Sequence, residues 1–201
     1  MKTTKEILDG IPDKYGSEKN TTSLKWKEDV IEFFRNKELI SCLELGTWHG
    51  RSTRILSEIF KDVWTVELVQ HRVDNAREFC KDKSNITFVC GNAYLDKTYR
   101  RFPQHFDVVV IDCDHTHSSV IKDIERGLSY ARPGSIQYFV FDDYGHSELE
   151  GVHTGIKHCI KKYGLRVENY IGHPAGTTIN RGKKPPFTLF DYEGLIVSSE
   201  K

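Results

Sequence analysis

Cys42-Leu43-Glu44-Leu45-Gly46-Thr47-Trp48-His49-Gly50 is the stretch on which the reading of the chain turns. Residues 40–45 read as a short buried strand. Ile55, Leu56, Ile59 and Phe60 then recur at helical spacing over 51–60. Between the two lie Gly46, which permits a sharp turn and close backbone approach, and Gly50, which lets a helix open without bulk. A strand passing through a glycine turn into a helix is a ligand-holding corner of a parallel α/β sheet. A dinucleotide corner would have the spacing G-x-G-x-x-G, but Trp48 stands where its second glycine belongs. Glu44, just before the turn, suits a ligand bearing positive charge better than a phosphate.

Outward from this corner the same alternation continues. The spacing predicts helices over 24–36, 71–81, 118–130 and 151–163, and strands over 63–66, 86–90, 108–111, 136–141, 165–171 and 195–197. Val73, Ala76, Arg77 and Cys80 form the expected inner face of the 71–81 helix. Strands alternating with helices indicate an α/β fold with a parallel sheet covered on both faces. Residues 1–23 read as an N-terminal arm, either a lid or a frayed end, and 24–201 as one domain. The Gly-, Pro- and Thr-rich segment 172–186 reads as a long loop. Its basic run 181–184 could draw an acidic acceptor, although a solvated loop is the simpler reading.

Composition sets the outer limits. The 201 residues carry 29 Lys+Arg against 29 Asp+Glu, with a sequence pI near 7.1. Zero net charge gives no overall field for nucleic acid or anionic lipid, so neither is expected as a partner. No apolar run exceeds four residues, against the ~20 of a membrane helix, and the first twenty residues lack a secretory signal. Five cysteines without close pairing argue against a disulfide framework and for a cytoplasmic protein. Cys42, Cys90 and Cys113 read as small buried fillers, and Trp48 as a core residue. A homo-oligomer is admitted by this composition without being required.

Two further strand ends bear on the ligand. Glu67 ends the strand after the glycine corner, at a spacing that suits a carboxylate accepting ribose hydroxyls. The next strand ends in Gly91-Asn92-Ala93, where Asn92 could read an adenine edge. Taken in order, Glu44-Leu45-Gly46-Thr47-Trp48-His49-Gly50, Glu67, Gly91-Asn92-Ala93 and Asp112 resemble the class I S-adenosylmethionine-dependent methyltransferases over about residues 24–200. The resemblance implies a Rossmann-like three-layer αβα sandwich whose mostly parallel seven-stranded sheet has an antiparallel last strand. It also implies S-adenosyl-L-methionine contacts at Glu44, Gly46, Thr47, Trp48, Gly50 and Ser52. Glu67, Asn92, Ala93 and Asp112 would complete them. Asn92 stands where that family often has Asp, which keeps an acceptor and adds donors.

A carboxylate cluster follows. Val108–Ile111 ends in Asp112-Cys113-Asp114-His115-Thr116-His117, and the neighbouring strand ends in Phe141-Asp142-Asp143-Tyr144. Strands lie about 4.8 Å apart, so these side chains can share one hard divalent ion, Mg²⁺ before Mn²⁺ or Ca²⁺. Helix capping by Asp114, Thr116, Ser118, Asp142 or Asp143 is the competing reading. His115 and His117 lack the further ligands a zinc site needs. His146 and His153 read as surface polar residues more readily than as pocket lining.

This half of the chain is similar to the metal-dependent sugar O-methyltransferases, the macrocin O-methyltransferase-like and cephalosporin hydroxylase-like group. That similarity implies Mg²⁺ on Asp112, Asp142 and Asp143, and a catalytic base at Asp114 or His115. The function so implied is Mg²⁺-assisted methyl transfer to a hydroxyl of a small-molecule or sugar acceptor. A non-catalytic adenosyl-cofactor-binding protein and a metal-dependent hydroxylase-like enzyme on the same fold are the alternatives. A nicotinamide oxidoreductase is disfavoured by the missing G-x-G-x-x-G pattern.

Overall fold

A computed structural model describes residues 2–11, 22–180 and 185–200. Nine strands are described: β1 (Ser41–Leu45), β2 (Asp62–Glu67), β3 (Ile86–Cys90), β4 (Val108–Ile111), β5 (Ile136–Phe141), β6 (Arg166–Ile171), β7 (Thr178–Ile179), β8 (Phe187–Thr188) and β9 (Gly194–Glu200). Seven of them form one sheet in the order β3-β2-β1-β4-β5-β9-β6. Its pairs are parallel except for β9, which runs antiparallel to both β5 and β6. The expected Rossmann-like sandwich is therefore the observed fold.

The two faces follow from alternation along the strands. Leu43, Leu45, Val109, Ile111, Phe139 and Phe141 turn toward α5 (His117–Leu128) and α6 (Glu150–Tyr163), where Ile124 and Ile156 are fully buried. Cys42, Val108, Val110 and Val140 turn the other way, onto Trp26, Val30 and Phe34 of α2 (Leu24–Phe34) and Leu56 of α3 (Arg51–Ile59). The Trp26 indole N–H donates to the Phe141 carbonyl at 3.3 Å, tying α2 to β5. Helix α4 (Gln70–Phe79) buries Val73 and Ala76, with Cys80 just beyond it. Arg77, expected with them, instead points out and pairs with Asp74.

Two expectations need correction. Residues Thr4–Asp9 form α1, which opens in a Thr3–Glu6 capping box. Its Ile7 and Leu8, with Ile11, are buried against Ile31 and Ile55, so this part of the arm is a docked helix and no frayed end. The rest of the arm, 12–21, lies outside the described residues. The segment 172–186 is also more than loop, because Thr178 and Ile179 pair antiparallel with Thr188 and Phe187. The basic run 181–184 lies outside the described residues. No described helix is long and apolar enough to cross a membrane.

Candidate active site

Strands β1 and β4 are neighbours whose connections leave toward opposite sides of the sheet, and such a switch point opens a crevice at the carboxyl edge. A cleft of about 950 Å³ lies there. Gly46, at φ 101°, brings the chain against β4, where any side chain at this position would collide with the Asp112 backbone carbonyl. This contact, more than the turn itself, requires glycine.

The carboxyl ends of β1, β2 and β3 build one half of the cleft. Glu67 is buried, and each of its oxygens is aimed by a backbone donor. Trp48 N–H donates to Oε2 at 3.1 Å, and Val69 N–H to Oε1 at 3.0 Å. A carboxylate so held keeps free lone pairs for two hydroxyls. Asn92 Oδ1 accepts the Tyr94 backbone N–H at 2.8 Å in a local turn. One lone pair of its acceptor is thus used by the chain, and the amide NH₂ with the second lone pair remains for a ligand.

Gly46, Thr47, Trp48, Ser52, Glu67, Asn92, Ala93 and Asp112 all line the cleft. Glu44 and Gly50 do not. Gly50 backs onto Ala76 of α4 and starts α3. Glu44 lies fully buried beneath the loop, where its Oε2 accepts Thr53 Oγ1 at 2.5 Å and Thr65 Oγ1 at 2.6 Å. Thr65 in turn meets Thr47 Oγ1 at 2.5 Å. Glu44 therefore supports the loop from behind, and burial raises its pKa to about 7.

The ends of β4 and β5 build the other half. Ile111 pairs with Phe141 in register, which sets the following aspartates side by side. His115 Nε2 stands 3.1 Å from Asp143 Oδ2 and 3.7 Å from Asp112 Oδ1, and one ligand atom from each lies within 4.8 Å of the other two. Cis ligands of an octahedral ion bound at about 2.1 Å are roughly 3 Å apart; the His115–Asp143 separation matches that value, and the three side chains are a candidate group for a divalent cation. Contact with Asp112 and then Asp143 raises the His115 pKa to about 10.

Asp142, expected as the third carboxylate of this group, is not in it. The chain leaves β5 with Asp143 in the left-handed region, φ 56°, and this turn delivers the Asp143 carboxylate to His115. Asp142 remains 8% exposed at the cleft wall with no partner for Oδ1, and burial raises its pKa well above the ordinary range. Of the capping candidates it is Thr116 that caps α5, its Oγ1 accepting Ser119 N–H at 3.3 Å. Asp114 lies just ahead of the cap, its oxygens accepting Thr116 N–H at 3.2 Å and Ser119 Oγ at 2.8 Å, and it faces the cleft.

The sequence profile of the Methyltransferase domain family matches residues 43–144, from the middle of β1 through Tyr144. The chain belongs to that family. It is a class I S-adenosylmethionine-dependent methyltransferase, and the matched span contains both halves of the cleft. Among solved structures, a putative O-methyltransferase from Klebsiella pneumoniae is 18% identical with a TM-score of 0.65, over 98% of this chain and 89% of the other. The O-methyltransferase from Bacillus cereus, solved with S-adenosylhomocysteine, is 19% identical with a TM-score of 0.66, over 98% and 90%. TomG from Streptomyces achromogenes, solved with S-adenosylmethionine, is 17% identical with a TM-score of 0.61, over 87% and 79%. At these identities the likeness is one of fold. No curated protein sequence matches.

Part of the methyltransferase's cleft wall was missed in the sequence. His146 is buried, stacks on Phe187 at 3.5 Å between centroids, and lines the cleft with Leu149, Ile179 and Glu193. Glu193 Oε1 accepts Ser23 N–H at 2.8 Å, while its Oε2 accepts Ser23 Oγ at 2.6 Å and His173 N–H at 3.0 Å. Cys113 also lines the cleft, Cys90 is exposed, and Trp48 is 38% exposed rather than core. His153 is mostly buried as well, edge-on to Tyr144 at 4.6 Å.

Proposed function

We propose that this methyltransferase transfers the methyl group of S-adenosylmethionine to a hydroxyl oxygen of a small-molecule or sugar acceptor, assisted by Mg²⁺ on Asp112, His115 and Asp143. The observation that carries this reading is the convergence of those three side chains in the same cleft as Glu67 and Asn92. A scaffold protein has no need of such a group, because clustered carboxylates repel unless a cation or protons compensate them.

When bound, the cofactor brings an electrophilic methyl group, and the ion brings the Lewis acidity that lowers the pKa of a hydroxyl. The chain's own residues supply alignment. Glu67 accepts the ribose hydroxyls, the Asn92 NH₂ donates to the adenine, and the loop at Gly46 lets the cofactor approach the backbone. Phe187, Ile179 and Leu149 give the acceptor end apolar walls that exclude water. With the His115 nitrogen committed to the ion, Asp114 is left to take the hydroxyl proton on a carboxylate whose aim is fixed by Thr116 and Ser119.

The test is transfer of a labelled methyl group to catechol and to methyl α-glucoside, measured in full chelation and after Mg²⁺ is returned. Label should appear on oxygen, vanish with chelator and recover with Mg²⁺. Unchanged turnover after complete metal removal rejects the ion's role, and label found on carbon in place of oxygen, or on neither acceptor, rejects the O-transfer.

A further inference from the structure

Trp48 is one of two described non-glycine residues with a positive φ, at 47°. A bulky residue in this region persists only where its surroundings over-determine it, and such residues cluster at ligand clamps. Besides the edge-on contact of its ring with neighbouring His49, two contacts hold Trp48 from β2 and α4. Its backbone N–H donates to Glu67 Oε2 at 3.1 Å, and the Arg72 guanidinium lies over its indole at 3.9 Å from the ring centroid. Arg72 itself stands 3.6 Å from Glu67 Oε1. Trp48, Glu67 and Arg72 thus form a closed triangle, and all three line the cleft.

We infer that Arg72 is a positioning residue for the cofactor, holding the Trp48 indole and the Glu67 carboxylate in the arrangement that receives the adenosyl ribose. Arg72 comes from the first turn of α4, just after the strand end that supplies Glu67. One guanidinium serves both partners because its plane stacks on a ring while its edge faces a carboxylate. Lysine keeps the charge but has no plane to stack. Arg72 and Trp48 are each about a third exposed, so their stacking adds little to the fold itself. The inference concerns the cofactor half of the cleft and is independent of acceptor and metal.

The test is calorimetric titration of S-adenosylhomocysteine into wild type, Arg72→Ala, Arg72→Lys, Trp48→Phe and the Arg72→Ala/Trp48→Phe double variant. Arg72→Ala should weaken binding about tenfold, and Arg72→Lys should show most of that loss. The double variant should be no more than about twofold worse than Arg72→Ala, because Arg72 acts through the ring. The KM for S-adenosylmethionine should rise by the same factor with kcat within about twofold, the signature of lost uniform binding. Trp26 is buried and Trp64 packs on Phe102, so the change in tryptophan emission on ligand addition should be altered in Arg72→Ala and absent in Trp48→Phe. Binding by Arg72→Ala within twofold of wild type overturns the inference, as does full multiplicativity of the two losses. If Arg72→Ala does not fold, wild-type affinity in Arg72→Lys overturns it equally.

Discussion

His115 Nε2 and Asp143 Oδ2 lie 3.1 Å apart, brought together from the ends of two neighbouring strands. The contact depends on the left-handed backbone at Asp143, a conformation that asparagine also tolerates. Asp143→Asn should therefore keep the fold and lose the charge. Metal-assisted polarisation is worth several kcal/mol, so kcat should fall by about a hundredfold or more while the melting temperature stays within a few degrees. Steady-state kinetics beside a thermal melt checks both.

Glu67 should dominate ribose recognition. Hydrogen bonds to a charged group contribute about 1.5–3 kcal/mol each, so Glu67→Gln should raise the S-adenosylhomocysteine Kd between about tenfold and a hundredfold. Calorimetry gives the number directly, and an unchanged Kd would remove Glu67 from the ribose site.

Gly46→Ala should be poorly tolerated for a reason visible in one contact. The added methyl would strike the Asp112 backbone carbonyl, at a φ that L residues rarely adopt. β1 would have to part from β4 at the middle of the sheet. A loss of several kcal/mol is expected, which for about 200 residues lowers Tm by roughly ten degrees. A melt within two degrees of wild type would contradict the close approach.

Stability should decline from about pH 4.5 to pH 7. Burial raises the pKa of Glu44 and of Asp123 to about 7 in the folded chain, so there each keeps its proton where the unfolded chain has already lost it. The unfolded state then binds fewer protons, and stability falls as pH rises until the folded groups ionise, after which the loss is constant. Glu44→Gln should accordingly gain on wild type by an amount on the order of 1–3 kcal/mol at pH 8 and nothing near pH 4. Denaturant unfolding at the two pH values measures it.

The sheet and most of the cleft wall at the ends of β1, β2 and β3 were legible in the sequence because strand ends and glycine turns are local features. Gly46, Glu67 and Asn92 each announce themselves by position. That His115 rather than Asp142 stands beside Asp112 and Asp143 was not legible, since it hangs on a single backbone torsion at Asp143. Glu193, His146 and Phe187 were missed for another reason. His146 and Phe187 reach the cleft through an isolated bridge and a two-residue strand, which carry no hydrophobic period, and Glu193 is set by Ser23 and His173, which are distant in sequence. Arg72 looked like one more charge on a charged helix until the fold set it over Trp48. Helix α1 is too short for a periodic signal, and its docking depends on Ile31 and Ile55, which are distant in sequence.

Titration of Mn²⁺ into the protein loaded with S-adenosylhomocysteine, followed by the electron paramagnetic resonance of the free ion, addresses the ion-binding group most directly. Wild type should take up one ion per chain, and His115→Ala and Asp143→Asn should take up none at the same concentrations, whereas Asp142→Asn should still bind. No uptake by wild type, or uptake lost in Asp142→Asn and preserved in His115→Ala, would contradict the account.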